Sequence, residues 1–354
     1  MKGSNATTTD VPKATERLVQ LEGLRGLAIL NVVLSHCGIL NQGGMSNALF
    51  FALAGFLLIN PFKDSYEQRF LSLKGVAKFY KSRAIRILPR YYLVLLFIFL
   101  QTGFEVIPEK VFLGLLIFNA RYRHLWYIFS YFWVMLIIPL VFVVLLLLAK
   151  KIKGLNNDLI CAIVFIALAF LIRLFVVWKG CFDIRFDQLM TGICFGYLFR
   201  FVRSHQKENA VLTKYANAAD LLILMIFTIV VFTSDEILVL INPNREDYWV
   251  GSRYIFAVGF MMSLLIFLVC LYPNGVMGKL LSSKPLVFVG KYSFPIYLLN
   301  NFIIDQMNIE IREFKFLCVF STSLIIAWIL DTVINKAILL CQKAKMHILA
   351  NKAG

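Results

Sequence analysis

About ten runs of roughly twenty apolar residues, separated by short loops, constrain this chain more than any other feature. They lie near 21–40, 45–60, 88–103, 124–149, 158–178, 183–200, 218–241, 252–272, 292–308 and 316–340. A helix rises about 1.5 Å per residue, so each run can cross a hydrocarbon layer of about 30 Å. Composition agrees: 60% of residues are hydrophobic, 15% aromatic and only 16% charged, with a mean hydropathy of +0.77. Too few charges remain to solvate the surface of a water-soluble body, which excludes a soluble globular enzyme, a disordered chain and a disulfide-rich secreted module. The reading is an all-α polytopic membrane protein.

An eleventh candidate, Val111 to Ala120, covers only about 15 Å and is read as re-entrant or interfacial. Under that assignment, with the N-terminus inside, the inner loops and tails hold 25 of the 36 Lys and Arg and the outer loops hold 9. That is the asymmetry expected when translocation of basic loops is unfavourable. If the short segment spanned, Lys150, Lys151 and Lys153 would fall outside and every later loop would invert. The expected organisation is a cytoplasmic tail at 1–20, an integral-membrane domain at 21–341 and a cytoplasmic tail at 342–354. The net charge of +16 then reports topology rather than nucleic-acid binding. The polar first twenty residues, and Glu22, Arg25 and His36 within the first apolar run, are unlike a cleavable signal core. The seven cysteines show no paired spacing and read as small core residues, so no metal site is expected. The stretch from Pro61 to about Leu88 is amphipathic and is expected on the inner membrane surface.

Ionisable groups at membrane depth are costly, so each is a functional candidate. Arg25 and His36 are eleven residues apart, three turns and about 20°, and share one stripe of the first helix about 16 Å apart. Glu22 precedes Arg25 by three residues and can pair with it. The simpler account has Arg25 snorkelling to the inner interface and His36 capping a helix end. Arg83 and Arg86 share a helix face and, with Lys78, Lys81 and Arg90, suit phosphate groups at the inner mouth of a cavity. The alternative is a positive-inside anchor, with Pro89 opening the next span. His124, Trp126, Tyr127 and Tyr131 begin the fourth full span, either as an outer acid or base with its aromatic neighbours or as an interfacial belt. Tyr91 and Tyr92 suit such a belt at the inner face. Arg173 and Asp187, on consecutive spans, are expected to neutralise each other.

These blocks, in this order, resemble the membrane-bound acyltransferase 3 family, bacterial O-acyltransferases of cell-surface glycans. Leu21-Glu-Gly-Leu-Arg25 through His36 is similar to its Arg-x10-His signature, and Phe50-Phe51-Ala-Leu-Ala54-Gly55-Phe56-Leu57 to its next block. Arg83-Ala-Ile-Arg86 with Pro89, Tyr91 and Tyr92 resembles its Arg-x-x-Arg block. His124-Leu-Trp126 to Pro139, then Gly290-Lys-Tyr292-Ser293-Phe-Pro-Ile-Tyr297-Leu298-Leu299, complete the set. The resemblance implies a cytoplasmic acyl-CoA donor, commonly acetyl-CoA, a glycan or lipid-linked sugar acceptor reached from outside, and a bacterial plasma-membrane location. It makes His36 and Arg25 the candidate catalytic residues. Arg83, Arg86, Lys78 and Lys81 become candidates for donor phosphates, and His124, Trp126 and Tyr127 for the acceptor side.

The chain departs from the family pattern in four places. Ala54 stands where many members have Ser, and Tyr131 and Phe132 where some have acidic residues. Asn300 replaces the usual His after Tyr-Leu-Leu. The hydrolase-like domain appended in some members is not seen, so transfer is expected within the membrane domain or through a partner protein. A multi-span transporter or flippase for a polysaccharide precursor or small molecule would also carry inward charges, but no internal repeat supports it.

Overall fold

The computed structural model describes residues 19–40, 43–103, 105, 107–120, 122–149, 157–179, 185–205, 215–232 and 250–351. Cys181, the Lys150–Lys153 loop and the tail 1–18 lie outside the described residues. Within them the chain is helical, with no strand. In order the helices are α1 (Val19–His36), α2 (Gly43–Leu58), α3 (Leu73–Thr102), α4 (Glu109–Leu116), α5 (Trp126–Ala149), α6 (Asn157–Lys179) and α7 (Phe186–His205). They continue as α8 (Ala216–Phe232), α9 (Val250–Leu271), α10 (Val276–Leu281), α11 (Lys284–Lys291), α12 (Ser293–Gln306) and α13 (Arg312–Asn351). By length and composition α3, α5, α6 and α13 can each cross a membrane. The pair α11 and α12, bent by 73°, makes a fifth candidate if taken as one broken span. Leucines and phenylalanines along α5, α6 and α13, including Leu140, Leu174 and Leu317, are exposed, as lipid-facing surfaces require.

The centre is packed through small residues. A Cβ on Gly26 would overlap Leu286 O, and one on Gly290 would overlap Glu22 O, so α1 and α11 touch backbone to backbone. Gly55 and Gly192 do the same between α2 and α7. In a lipid-soluble interior, close van der Waals approach of this kind drives helix association where the hydrophobic effect cannot.

Three local expectations are corrected. Pro89 does not open a helix. It lies inside the 30-residue α3, and Arg90 Nη1 donates to Arg86 O at 2.8 Å, one residue beyond the carbonyl that Pro89 leaves without its helical donor. The amphipathic stretch is not confined to a surface, because Phe70 and Phe79 are buried and pack on each other, and Phe70 stacks on Phe142 of α5. Tyr91 and Tyr92 are not an interfacial belt. The short segment α4 folds back along α3, Phe112 beside Phe99, and the two tyrosines donate to Leu115 O and Leu116 O at 2.9 and 2.8 Å. Carbonyls at a helix C-terminus have no intrahelical donor, and these hydroxyls supply one. Phe118, at a left-handed φ of 55°, turns the chain back while stacked between Tyr91 and Phe132.

Arg173 and Asp187 do pair, through two bonds of 2.5 and 2.9 Å, with Asp187 fully buried. Removing one partner strands the other charge. Arg173→Met is expected to cost about 3–5 kcal/mol, most of it regained in Arg173→Met with Asp187→Leu. Thermal unfolding in detergent checks this; equal melting of single and double variants would contradict it.

Candidate functional site

A cavity of about 1390 Å³ opens among α1, α3, α5, α11 and α12 and the 3-10 turn Tyr66–Leu71. Nine basic side chains line it, Arg25, Lys63, Arg69, Lys78, Arg83 and Arg86 among them, against three acidic ones, Glu22, Asp64 and Asp331. The excess falls on groups without an acidic partner. Glu22 is held by Arg25 at 2.8 Å and Asp331 by Arg90 at 2.6 Å, while no carboxylate pairs with Arg83 or Arg86 among the described residues. Such a space favours a ligand carrying several negative charges.

The backbone explains why these groups converge. Arg83, Arg86 and Arg90 fall on one face of α3 at helical spacing. Arg83 Nη1 donates to the Tyr131 hydroxyl at 3.2 Å, which ties that face to α5. The Tyr66–Leu71 turn is anchored from beneath by a buried network. Arg200 donates to both Glu67 oxygens, at 2.8 and 2.9 Å, and to Asp158 at 2.5 to 3.0 Å. The turn therefore presents Arg69, whose guanidinium lies 3.8 Å from the Tyr66 ring centroid and donates to Leu58 O. The bend between α11 and α12 adds Lys284, Lys291 and Tyr297.

Tyr127 and Tyr297, rings 5.2 Å apart, form the cavity's apolar end, with Phe51 against Tyr127 at 4.7 Å. Behind them lie two histidines. The His124 ring is 5.5 Å from Tyr297, 5.4 Å from Phe302 and 5.9 Å from the His36 ring. His36 Nδ1 is 2.5 Å from Asn300 Oδ1. His124 Nε2 donates to Leu298 O at 3.2 Å, and the Tyr297 hydroxyl donates to His124 O.

Arg25, Lys78, Arg83, Arg86 and Tyr127 thus meet in one cavity. Lys81 does not line it, because it points off the face that carries Lys78 and Arg86. His124 packs on Tyr297 of the lining and His36 lies beyond it against the His124 ring, while Trp126 turns towards the Arg185 guanidinium, 5.3 Å from its ring centroid. Sequence reasoning missed Arg69, Lys284 and Lys291, whose place depends on a turn and a bend without a periodic signature. It also missed the contact between His36 and Asn300, 264 residues apart. The departure of Asn300 from the family pattern was the available signal. No group of three or more His, Cys, Asp or Glu able to hold a metal occurs among the described residues.

A family model for the acyltransferase 3 type, described as an acyltransferase domain, matches residues 18–332. Curated relatives include the O-acetyltransferase OatA of Staphylococcus aureus strains NCTC 8325 / PS 47, COL and MRSA252. Each is 22% identical over 324 residues, covering 81% of this chain and 51% of the relative. The chain spans about half the length of these relatives. No solved structure matches it. The family match runs over nearly the whole helical body, whose several long apolar helices suit a multi-pass membrane protein: the chain belongs to the acyltransferase 3 family.

Proposed function

We propose that the chain is an O-acyltransferase of the bacterial plasma membrane. It moves an acyl group, acetyl in the simplest case, from cytoplasmic acyl-CoA to a hydroxyl of a cell-surface or lipid-linked glycan. In this reading both termini are cytoplasmic and about ten spans cross the bilayer. The observation that carries it is the cavity with nine basic side chains and an aromatic end one ring layer from His36. The likeness to proteins named O-acetyltransferase supports the reaction class.

Arg83, Arg86 and Lys78 hold the nucleotide phosphates, Arg through its forked donors. Arg69 and Lys63 extend the same positive wall. The acyl-bearing arm runs along α1 past Arg25, towards the Tyr127 and Tyr297 rings. The rise of about 16 Å from Arg25 to His36 suits that arm. Arg25, partly committed to Glu22, polarises the thioester carbonyl or steadies a phosphate. His36 takes the proton of the acceptor hydroxyl as its oxygen attacks the carbonyl carbon. The His124 and Trp126 side receives the acceptor.

The test is transfer of labelled acetyl from acetyl-CoA in membranes containing the full chain. Arg83→Ala is expected to raise KM for acetyl-CoA by about tenfold or more with kcat little changed, so that excess donor restores the rate. A fall in kcat at unchanged KM would remove Arg83 from the donor site. Movement of a glycan precursor without CoA release would replace the reading with a flippase.

A further inference from the structure

Asn300 is fully buried in α12, and its amide is oriented from two sides. Nδ2 donates to Ile296 O at 3.1 Å and to Tyr297 O at 2.8 Å. Carbonyl oxygens only accept, so the nitrogen end of the amide faces them and Oδ1 faces His36. Oδ1 cannot donate. The hydrogen in the contact with His36 therefore belongs to Nδ1, and the lone pair of the neutral ring lies on Nε2.

His124 follows the same logic. Its Nε2 contacts Leu298 O, an acceptor, so Nε2 carries the hydrogen and Nδ1 the lone pair. That Nδ1 is buried and has no hydrogen-bond partner among the described residues. The two rings meet edge-on, 5.9 Å apart at 65°. Each has spent its one hydrogen on a fixed acceptor, leaving a lone pair on each of two neighbouring rings, the one on His124 Nδ1 buried. A buried acceptor without a donor is unfavourable. The arrival of one proton removes the deficit: protonated His36 gains an Nε2–H, and His124 Nδ1 can accept it directly or through one water.

We propose that Asn300 and His124 are positioning residues of one proton-accepting unit with His36. Asn300 holds His36 as the Nδ1–H tautomer, so that Nε2 is the base. His124 Nδ1 accepts a hydrogen bond from the Nε2–H that forms. The proposal rests on His36 being the base of the reaction above. In that step the acceptor O–H bond breaks, its oxygen bonds to the thioester carbonyl carbon and its proton moves to His36 Nε2. The C–S bond then breaks, and the departing thiolate takes the proton from His36, giving free CoA thiol and the neutral pair. Charged and titratable neighbours are otherwise engaged. Arg123 pairs with Asp305, Arg312 donates to Gly38 O and Tyr297 donates to His124 O, while no carboxylate pairs with either ring among the described residues. An amide and a second imidazole thus stand where a carboxylate commonly orients a catalytic histidine.

Two readouts on the full chain in membranes or nanodiscs test the unit. The first is release of free thiol from acetyl-CoA between about pH 5 and pH 9, the range in which histidine titrates. Imidazolium is not a base, so the rate has an acid limb. Asn300→Leu removes the acceptor and is expected to lower kcat about 100-fold at unchanged KM. Asn300→Asp keeps the acceptor and adds a negative charge, moving the acid limb up by about one pH unit. His124→Phe keeps the ring against Tyr297 and Phe302, lowers kcat about tenfold and moves the limb down. The second readout is the ¹⁵N spectrum of the four histidines, which reports tautomers without turnover. His36 is expected as Nδ1–H in the parent protein and as a mixture in Asn300→Leu. An Nε2–H tautomer in the parent protein, or parental kcat and acid limb in Asn300→Leu, overturns the proposal. A parent protein that shows the Nδ1–H tautomer but releases no thiol from acetyl-CoA overturns the proposed reaction and leaves the pinned tautomer standing. Size-exclusion profiles matching the parent exclude misfolding as the cause of any loss.

Discussion

Replacing His36 with Ala is expected to lower acyl transfer by at least about 100-fold, measured as labelled acetyl moved from acetyl-CoA into membrane glycans. The expectation follows from position as much as from residue type. His36 closes α1 on the stripe that carries Arg25, and it lies behind the Tyr127 and Tyr297 end of the basic cavity. Its ring is held by Asn300, which has no partner in the Ala variant on that side. A modest loss of stability, about 1–3 kcal/mol for a buried acceptor left alone, should accompany the catalytic loss. Donor binding, judged by KM for acetyl-CoA, should hardly change, because His36 lies behind the lining and is not among the basic side chains proposed to hold the donor phosphates. Parental turnover in the His36→Ala protein would remove the base from the mechanism.

Gly290→Val is expected to produce a large structural effect. A Cβ at Gly290 would overlap Glu22 O and press on Gly26 N, and both are backbone atoms that no rotamer change can move aside. Helices α1 and α11 must separate, and overpacking of this sort costs on the order of 3 kcal/mol. The displacement would also shift Glu22, Arg25 and Lys291, all on the cavity wall, so donor affinity should fall together with stability. Thermal unfolding in detergent, with KM for acetyl-CoA on whatever protein folds, checks both parts. Leu280→Ala, at an exposed position on α10, is the control and should melt like the parent. Unchanged melting in Gly290→Val would mean that α1 and α11 are not in backbone contact.

The parts of this protein legible in the chain are those governed by local rules. Hydrophobic length marked α5 and α6 to within two residues and the apolar part of α13, because exclusion from water acts on each segment separately. Helical spacing placed Glu22 beside Arg25, and Arg83 beside Arg86 on one face. The pairing of Arg173 with Asp187 was legible because an unpartnered charge in a span has few outlets. Pro89 and the Tyr91–Tyr92 pair were misread for the opposite reason. Each has a sound local interpretation that packing overrode, through the uninterrupted α3 and the carbonyls at the end of α4.

The sequence by itself determined that the chain is a helical membrane protein, and by resemblance it singled out Arg25, His36, Arg83 and Arg86 as candidate residues of an acyltransferase 3 family member. Only the tertiary structure decided how those residues relate. Backbone contact between α1 and α11, the bend before α12 and the buried Arg200 network bring Arg69, Lys284 and Lys291 onto one cavity wall. The same packing sets Asn300, 264 residues further along the chain, and His124, from a different helix, against His36. Long-range contacts of this kind leave no periodicity to read. They arise from the complementarity of whole helix surfaces, which exists only once the helices have met.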